Sequence, residues 1–283
     1  MIKIITDSSA NLPDKLKYDL TVIPYTYILE SGEAKSACGD FDGREFYSLM
    51  RKGEKITTSM INTETFKEYF ERELKAGNDI IYIGMSGGIS GSIRAAESVK
   101  DELKEAYPER RIEVIDTFAA SLGEGLLVLA AAEMLKCGKS YDQICEVIKD
   151  ERHRICQYFT VDDLEYLKRG GRISGARALV GNLLDIKPIL TGDEEGHIVA
   201  CGKVRGRNRA LKELAKKYVD LVKDKASPVG IAHADAPESA LTLIELLKAE
   251  GFSGDALTVC YEPVTGAHVG PGTVALFFTG IHK

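Results

Sequence analysis

Residues Gly84–Arg94, GMSGGISGSIR, place glycines beside the hydroxyls of Ser86, Ser90 and Ser92. The segment follows an apolar run and leads into a helical pattern. Its glycines permit close backbone approach, and the unpaired N–H groups of a starting helix carry partial positive charge. Such a loop favours a small anion. The plain alternative is that Ser90 only caps the helix and the glycines only fit a turn. The same residues contain Gly84-Met85-Ser86-Gly87-Gly88, which fits the G-x-S-x-G nucleophile elbow of a serine hydrolase, with His268 available as base. An elbow turns straight into its helix, whereas several residues with more glycine follow Ser86. Few strands precede the serine, and no HGGG-like oxyanion segment does.

Other segments offer matching chemistry. Thr57-Thr58-Ser59 brings three hydroxyls just ahead of a helix start at Asn62. Lys168-Arg169-Gly170-Gly171-Arg172 puts Arg172 in a glycine-rich setting, where a guanidinium can bind a carboxylate or phosphate through two N–H groups. Gly266–Gly272, GAHVGPG, sets His268 in what reads as a rigid turn before the last strand. Metal binding has little support: His233 and Asp235 are close, but Asp235 followed by Pro237 and Glu238 reads better as a helix cap with a capping box. Arg205, Arg207 and Arg209 form a small basic cluster, either a solvated helix start or a docking point for an acidic partner. From these loops alone, hydrolysis, metal binding and anion binding all stay open.

The elements that must position these residues alternate in the first half. Ile2–Thr6, Thr21–Leu29, Asp79–Ile83 and Ile112–Ile115 read as strands. Asp42, with Glu45 as capping-box partner, starts a helix burying Phe46, Leu49 and Met50; Asn62 starts another with Phe66, Phe70 and Leu74 inward. A third helix begins near Ser90 and buries Ile93, Ala96, Val99 and Leu103. This rhythm predicts a parallel sheet with helices on both faces. Ala119–Cys137 is apolar nearly all round, as suits a central core helix or one wall of an apolar cavity. After a helix at Ser140–Glu151, strands at Ile155–Val161, Pro188–Thr191, His197–Val204, Val229–Ala232, Ala256–Tyr261 and Thr273–Thr279 surround helices at Ala176–Leu184, Asn208–Lys223 and Pro237–Glu250. The tight link Gly192–Gly196 suggests a hairpin and hence antiparallel pairing. The expected fold class is α/β, with a Rossmann-like parallel-sheet domain over residues 1–153 and a second α/β domain with a largely antiparallel sheet over 154–283.

Composition narrows the partners. A length of 283 residues fits two α/β units, and a net charge of -6 argues against nucleic acid as the main partner. No apolar run is long enough to span a membrane, and MIKIITDSS at the start is a strand and turn with no signal-peptide character. Cys38, Cys137, Cys145, Cys156, Cys201 and Cys260 contain no CxxC pair and read as reduced core thiols of a cytoplasmic protein.

Taken in order, ITDSSANLP, TTSMINTETF, GMSGGISGSIRAAE, VIDTFAASLGEGLLVLAAAEM, LEYLKRGGRISGARALVGNLLDIKPIL, VRGRNRALKEL, IAHADAP and GAHVGPGTVALFF resemble the DegV family of bacterial fatty-acid-binding proteins over essentially the whole chain. The resemblance implies two α/β domains with an acyl chain between them, and its carboxylate held by Thr58 and Ser90, with Ser59 and Gly91 adjacent and Arg172 and His268 near the head. It also implies a carrier with no catalytic cycle or cofactor of its own. That carrier would be monomeric, touch membranes transiently, and present its lipid to a fatty acid kinase that makes acyl phosphate for phospholipid synthesis. One departure stands out: where the family often continues Thr-Ser with Gln-Pro, this chain has Met60-Ile61.

Overall fold

The computed structural model describes residues 1–13, 18–39, 41–173 and 185–281. The helix expected at Ala176–Leu184 lies outside them. Strand β1 (Ile2–Asp7) runs into a 3-10 turn at Ser8–Ala10, where the Asp7 carboxylate accepts the Ser9 N–H at 3.0 Å. The single strand expected at Thr21–Leu29 is two strands, β2 (Leu20–Ile23) and β3 (Thr26–Ile28), which belong to different sheets. Pro24 lies between them; it lacks an N–H and ends the ladder. Strand β4 (Ala34–Ser36) precedes helix α1 (Gly43–Arg51), which Asp42 caps by accepting the N–H groups of Arg44 and Glu45. Leu49 is only half-buried; Tyr47 is buried in its place.

Thr57–Ser59 is a short strand, β5, rather than a loop. It pairs with β3, and β4-β3-β5 form a small antiparallel sheet that the sequence pattern did not suggest. Helix α2 (Thr63–Lys75) starts at Asn62, and β6 (Asp79–Gly84), α3 (Ser92–Ala106) and β7 (Ile112–Asp116) follow. Sheet β2-β1-β6-β7 is parallel throughout. Phe66, Phe70, Ala96, Val99 and Leu103 of α2 and α3 pack on one of its faces. Helices α4 (Leu122–Lys136) and α5 (Tyr141–Glu151) cover the other.

Beyond residue 154 come β8 (Ile155–Thr160), α6 (Glu165–Arg169), β9 (Ile186–Gly192), β10 (Ile198–Arg205), α7 (Arg207–Leu221), β11 (Val229–His233), α8 (Pro237–Ala249), β12 (Ala256–Cys260), α9 (Pro263–Val269) and β13 (Val274–Thr279). The second sheet runs β10-β9-β8-β13-β11-β12, antiparallel except for the β11–β12 pair. Helices α7 and α8 pack on one face through Leu211, Leu214, Tyr218, Leu243 and Leu247. The other face meets α4, which therefore lies between the two sheets, against β1 and β6 on one side and β8, β11 and β13 on the other. That position explains its missing polar side: Leu122–Val128 are all buried. Of the two readings of this helix, the core one holds for its body, and only Ala119–Ser121 before it reach the crevice described below.

One polar residue interrupts the buried stretch of this helix. Glu124 is fully buried, accepting the Thr6 hydroxyl at 2.9 Å and the Ser9 hydroxyl at 2.8 Å. Asp7, equally buried, accepts from the same Ser9 hydroxyl, from Tyr82 at 2.7 Å and from the Met85 N–H at 3.3 Å. Ser9 has one hydroxyl proton to place between two carboxyl oxygens, an arrangement that favours a proton on one of the carboxyls. Burial, which penalises both charged forms, raises the pKa of each acid.

Two expectations are corrected. Asp235 does not cap α8: Ala236 is in that position, Pro237 opens the helix, and Asp235 sits at φ +50° in an ion pair with Arg51 at 2.5 Å. Only Cys145 and Cys156 are buried; Cys38, Cys137 and Cys201 are exposed, and no disulfide forms.

Candidate functional site

A narrow crevice lies where the ends of β3, β5, α6, α9 and the Gly84–Arg94 loop meet the inner side of the second sheet. About 810 Å³ in it is free of protein atoms, part of that open to solvent. Its walls are mainly apolar, with Met85, Ile89, Phe159, Leu167, Val264 and Phe277 among them. Polar groups also reach it. Thr58, Ser59, Ser90, Arg172 and His268 all line it, although they come from four separate stretches of chain.

Each is held by local structure. The β3–β5 ladder fixes Thr58 opposite Tyr27 and leaves it half-buried between exposed Thr57 and Ser59. His268 is on helix α9, not in the turn expected from its glycines. Glu262 caps that helix, its buried carboxylate accepting the N–H groups of Val264 and Thr265, both at 2.6 Å, and Pro263 occupies the first turn. The Glu262-Pro263 pair was the available signal for a helix start. His268 Nε2 and Thr58 Oγ1 share a hydrogen bond of 2.8 Å. Burial, followed by the charge of Arg172, pulls the histidine pKa down to about 4, so the imidazole is neutral at pH 7. Gly170 makes room for the ring: a Cβ there would fall 2.3 Å from Nδ1. Arg172 Nε donates to the Ile89 carbonyl at 3.2 Å, and its Nη1 donates to the Gly170 carbonyl, which holds the guanidinium beside the glycine loop.

Ser90 precedes α3 by two residues and is not its cap; Gly91 is in that position. The Ser90 hydroxyl lies 3.0 Å from Tyr25 Oη and 3.1 Å from Ser92 Oγ, and accepts the Ser92 N–H at 3.3 Å. Ser92 in turn accepts the Ile61 N–H at 3.1 Å, tying the Thr-Ser strand to the glycine loop. Gly91 does not line the crevice; Met60 lies over it, its sulfur 2.6 Å from where a Cβ would be. Tyr25 was missed in the sequence. It is 2% exposed, and burial with the nearby Asp7 charge raises its pKa well above normal, keeping its proton. No local pattern marks a tyrosine whose partner is 65 residues away. Gln157 and Thr265 also line the crevice without having been singled out.

The elbow-like Ser86 is elsewhere. It is fully buried, donates to the Gly196 carbonyl at 3.0 Å and accepts the Gly88 N–H at 3.0 Å. His268 faces Thr58 instead, and the Arg172 charge opposes the protonation that a general base must undergo. The arginine cluster also divides. Arg205 and Arg209 are exposed, whereas Arg207 turns inward to Ser239 at 3.2 Å, to the Gly272 carbonyl and to Asp162 at 3.8 Å. Among the described residues no group of three or more His, Cys, Asp or Glu is placed to hold a metal ion, and no helix is long and apolar enough to cross a membrane.

Hydroxyls and a guanidinium in a mainly apolar slot suit an amphiphile with an anionic head. A family model described as "Uncharacterised protein, DegV family" matches residues 1–280. A DegV domain-containing protein of Clostridium perfringens is 38% identical over 99% of this chain and 98% of its own. Among solved structures, a fatty-acid-binding DegV family protein from Thermus thermophilus superposes with a TM-score of 0.89 at 30% identity, covering 99% of both chains. A fatty acid binding DegV family protein from Streptococcus agalactiae gives 0.88 at 30% identity over 99% of this chain and 98% of its own. With nearly its full length matched by the family model and by these relatives, the chain belongs to the DegV family.

Proposed function

We propose that this protein binds one long-chain fatty acid, its tail in the apolar crevice and its carboxylate at Thr58 and Ser90, with Ser59, Arg172 and His268 around the head and Gly91 behind Ser90 under Met60. The observation that carries this reading is a mainly apolar crevice that Thr58, Ser59, Ser90, Arg172 and His268 all line. Relatives described as fatty-acid-binding support it. Each buried methylene contributes roughly 0.8 kcal/mol, so a long chain gains on the order of 10 kcal/mol before the costs of association. The tail supplies affinity. The head supplies orientation, because an unpaired buried carboxylate is very costly. Residues 1–153 and 154–283 form the two domains between which the lipid lies. The protein acts as a cytoplasmic, monomeric carrier that presents the bound acid to a fatty acid kinase, and exposed Arg205 and Arg209 are where an acidic partner surface docks.

Native mass spectrometry and organic extraction of the purified protein test the binding. One fatty acid per chain is expected. Protein that stays lipid-free and takes up neither oleate nor palmitate overturns the proposal.

A further inference from the structure

The G-x-S-x-G serine has no place in carboxylate binding, yet it is fully buried and bonded across the molecule. We propose that the tip of the β9–β10 hairpin is a movable wall of the crevice and that Ser86 is the latch holding it shut; this rests on the lipid-binding reading.

The tip belongs to the wall, since Gly192, Gly196 and Ile198 all line the crevice. It is also a self-contained unit. Asp193 Oδ1 accepts the N–H groups of Glu195 at 3.0 Å and His197 at 2.8 Å, and the Asp193 N–H bonds the His197 carbonyl at 2.9 Å. The turn therefore keeps its shape wherever it sits. Its attachment to the sheet is slight. β9 pairs with β8 only at Thr191–Tyr158 and Leu190–Phe159, whereas β13 pairs with β8 from Val274–Thr160 to Thr279–Ile155. β10 is the sheet's edge strand and is largely exposed, and among the described residues its outer side is joined by one bridge, Ile173 to Ile198.

Among the described residues, the one hydrogen bond joining the turn Asp193–His197 to the rest of the molecule is Ser86 Oγ to the Gly196 carbonyl, 3.0 Å. Around it the two backbones touch directly. A Cβ on Gly196, which has φ +78°, would fall 2.0 Å from Ser86 Oγ, and one on Gly88 would fall 2.8 Å from the Glu195 carbonyl oxygen. The serine thus spends its single donor across this seam while its oxygen shapes the glycine loop by accepting from Gly88. A long apolar chain cannot thread a narrow buried slot unless a wall moves, and the turn of this wall is held by that single hydrogen bond.

The test uses the full chain loaded with a fluorescent fatty acid, cis-parinaric acid, and follows release on dilution into excess oleate. Ser86→Ala removes the latch, and release is expected to quicken roughly tenfold, the factor for one lost buried hydrogen bond. Gly88→Ala wedges the tip away and is expected to quicken release as well. Hydrogen exchange of the same proteins should show amides of Gly192–Ile198 opening faster with β13 unchanged. Wild-type release and tip exchange in both variants overturn the latch and leave lipid binding intact. Should Ser86→Ala not fold, Gly88→Ala decides alone, and tip amides in the wild type that open no faster than those of β13 also overturn it. A protein that never takes up the probe fails the lipid-binding reading instead.

Discussion

Two polar clusters lie near each other in this molecule and are built on opposite rules. Around Asp7 and Glu124 every carboxyl oxygen has a partner inside the protein, no cation stands nearby among those partners, and the atoms are sealed from solvent. Around Thr58 and Ser90 the groups are half-buried hydroxyls beside a guanidinium and a neutral imidazole, opening on a crevice. The first cluster is complete and stabilises the fold; the second has bonding capacity left for something from outside. A buried polar group signals function less by its burial than by what it has left to offer.

Substitutions separate the two. Asp7→Ala strands the Ser9 and Tyr82 hydroxyls and the Met85 N–H, and should cost about 3 kcal/mol of stability in urea unfolding, the upper range for lost buried partners. A cost near that of an exposed serine would show that the cluster is not structural. Ser90→Ala should weaken fatty acid binding by roughly 1–3 kcal/mol by calorimetry with a much smaller effect on unfolding; unchanged affinity would remove Ser90 from the head-group site.

Acidity gives a subtler contrast, because the clusters titrate in opposite senses. Burial pushes Glu262, with the Asp7 charge a smaller contributor, up to about 7, and raises Asp7 and Glu124 too, so their contribution is full at low pH and fades as pH rises, for Glu262 between its ordinary 4.5 and about 7. His268 is lowered from 6.5 to about 4, so its contribution is full above 6.5 and fades as pH falls towards 4. Histidine-resolved NMR of lipid-free protein should find this imidazole still neutral at about pH 5, where an ordinary histidine is charged; a titration near 6.5 would mean that the ring is open to water. The smallest effect is expected of Met60→Gln at the mouth, where Met60 is 49% exposed: an affinity change below about 0.5 kcal/mol. A larger one would extend the head-group site to this residue.

Much of this was legible in the sequence for local reasons. Asn62 with Phe66, Phe70 and Leu74, or the Gly192–Gly196 hairpin, are patterns within one turn or one link, and they formed as read. The loops around Thr58, Ser90, Arg172 and His268 were legible through family resemblance, and the crevice brings them together. What escaped depends on distant contacts. Tyr25 was absorbed into a strand that Pro24 divides. Glu124 drew no attention in the sequence, because its partners Thr6 and Ser9 are over a hundred residues away. His268 was misread for a local reason, since glycines on either side outweighed the Glu262-Pro263 helix start.

Helix α4 has a consequence for how the chain comes to be folded. It is encoded in the first half, but Leu122 packs on Gly230 and Gly123 lies against Phe277, both made much later. On the ribosome, the first sheet and its helices are complete while one whole flank of α4 still waits for β11 and β13. A nascent chain stopped near residue 153 would carry that flank bare, a natural hold for a chaperone and a seed for aggregation. Whatever independence the two halves show around a ligand, they mature together, with the last strands of the chain sealing a helix made long before.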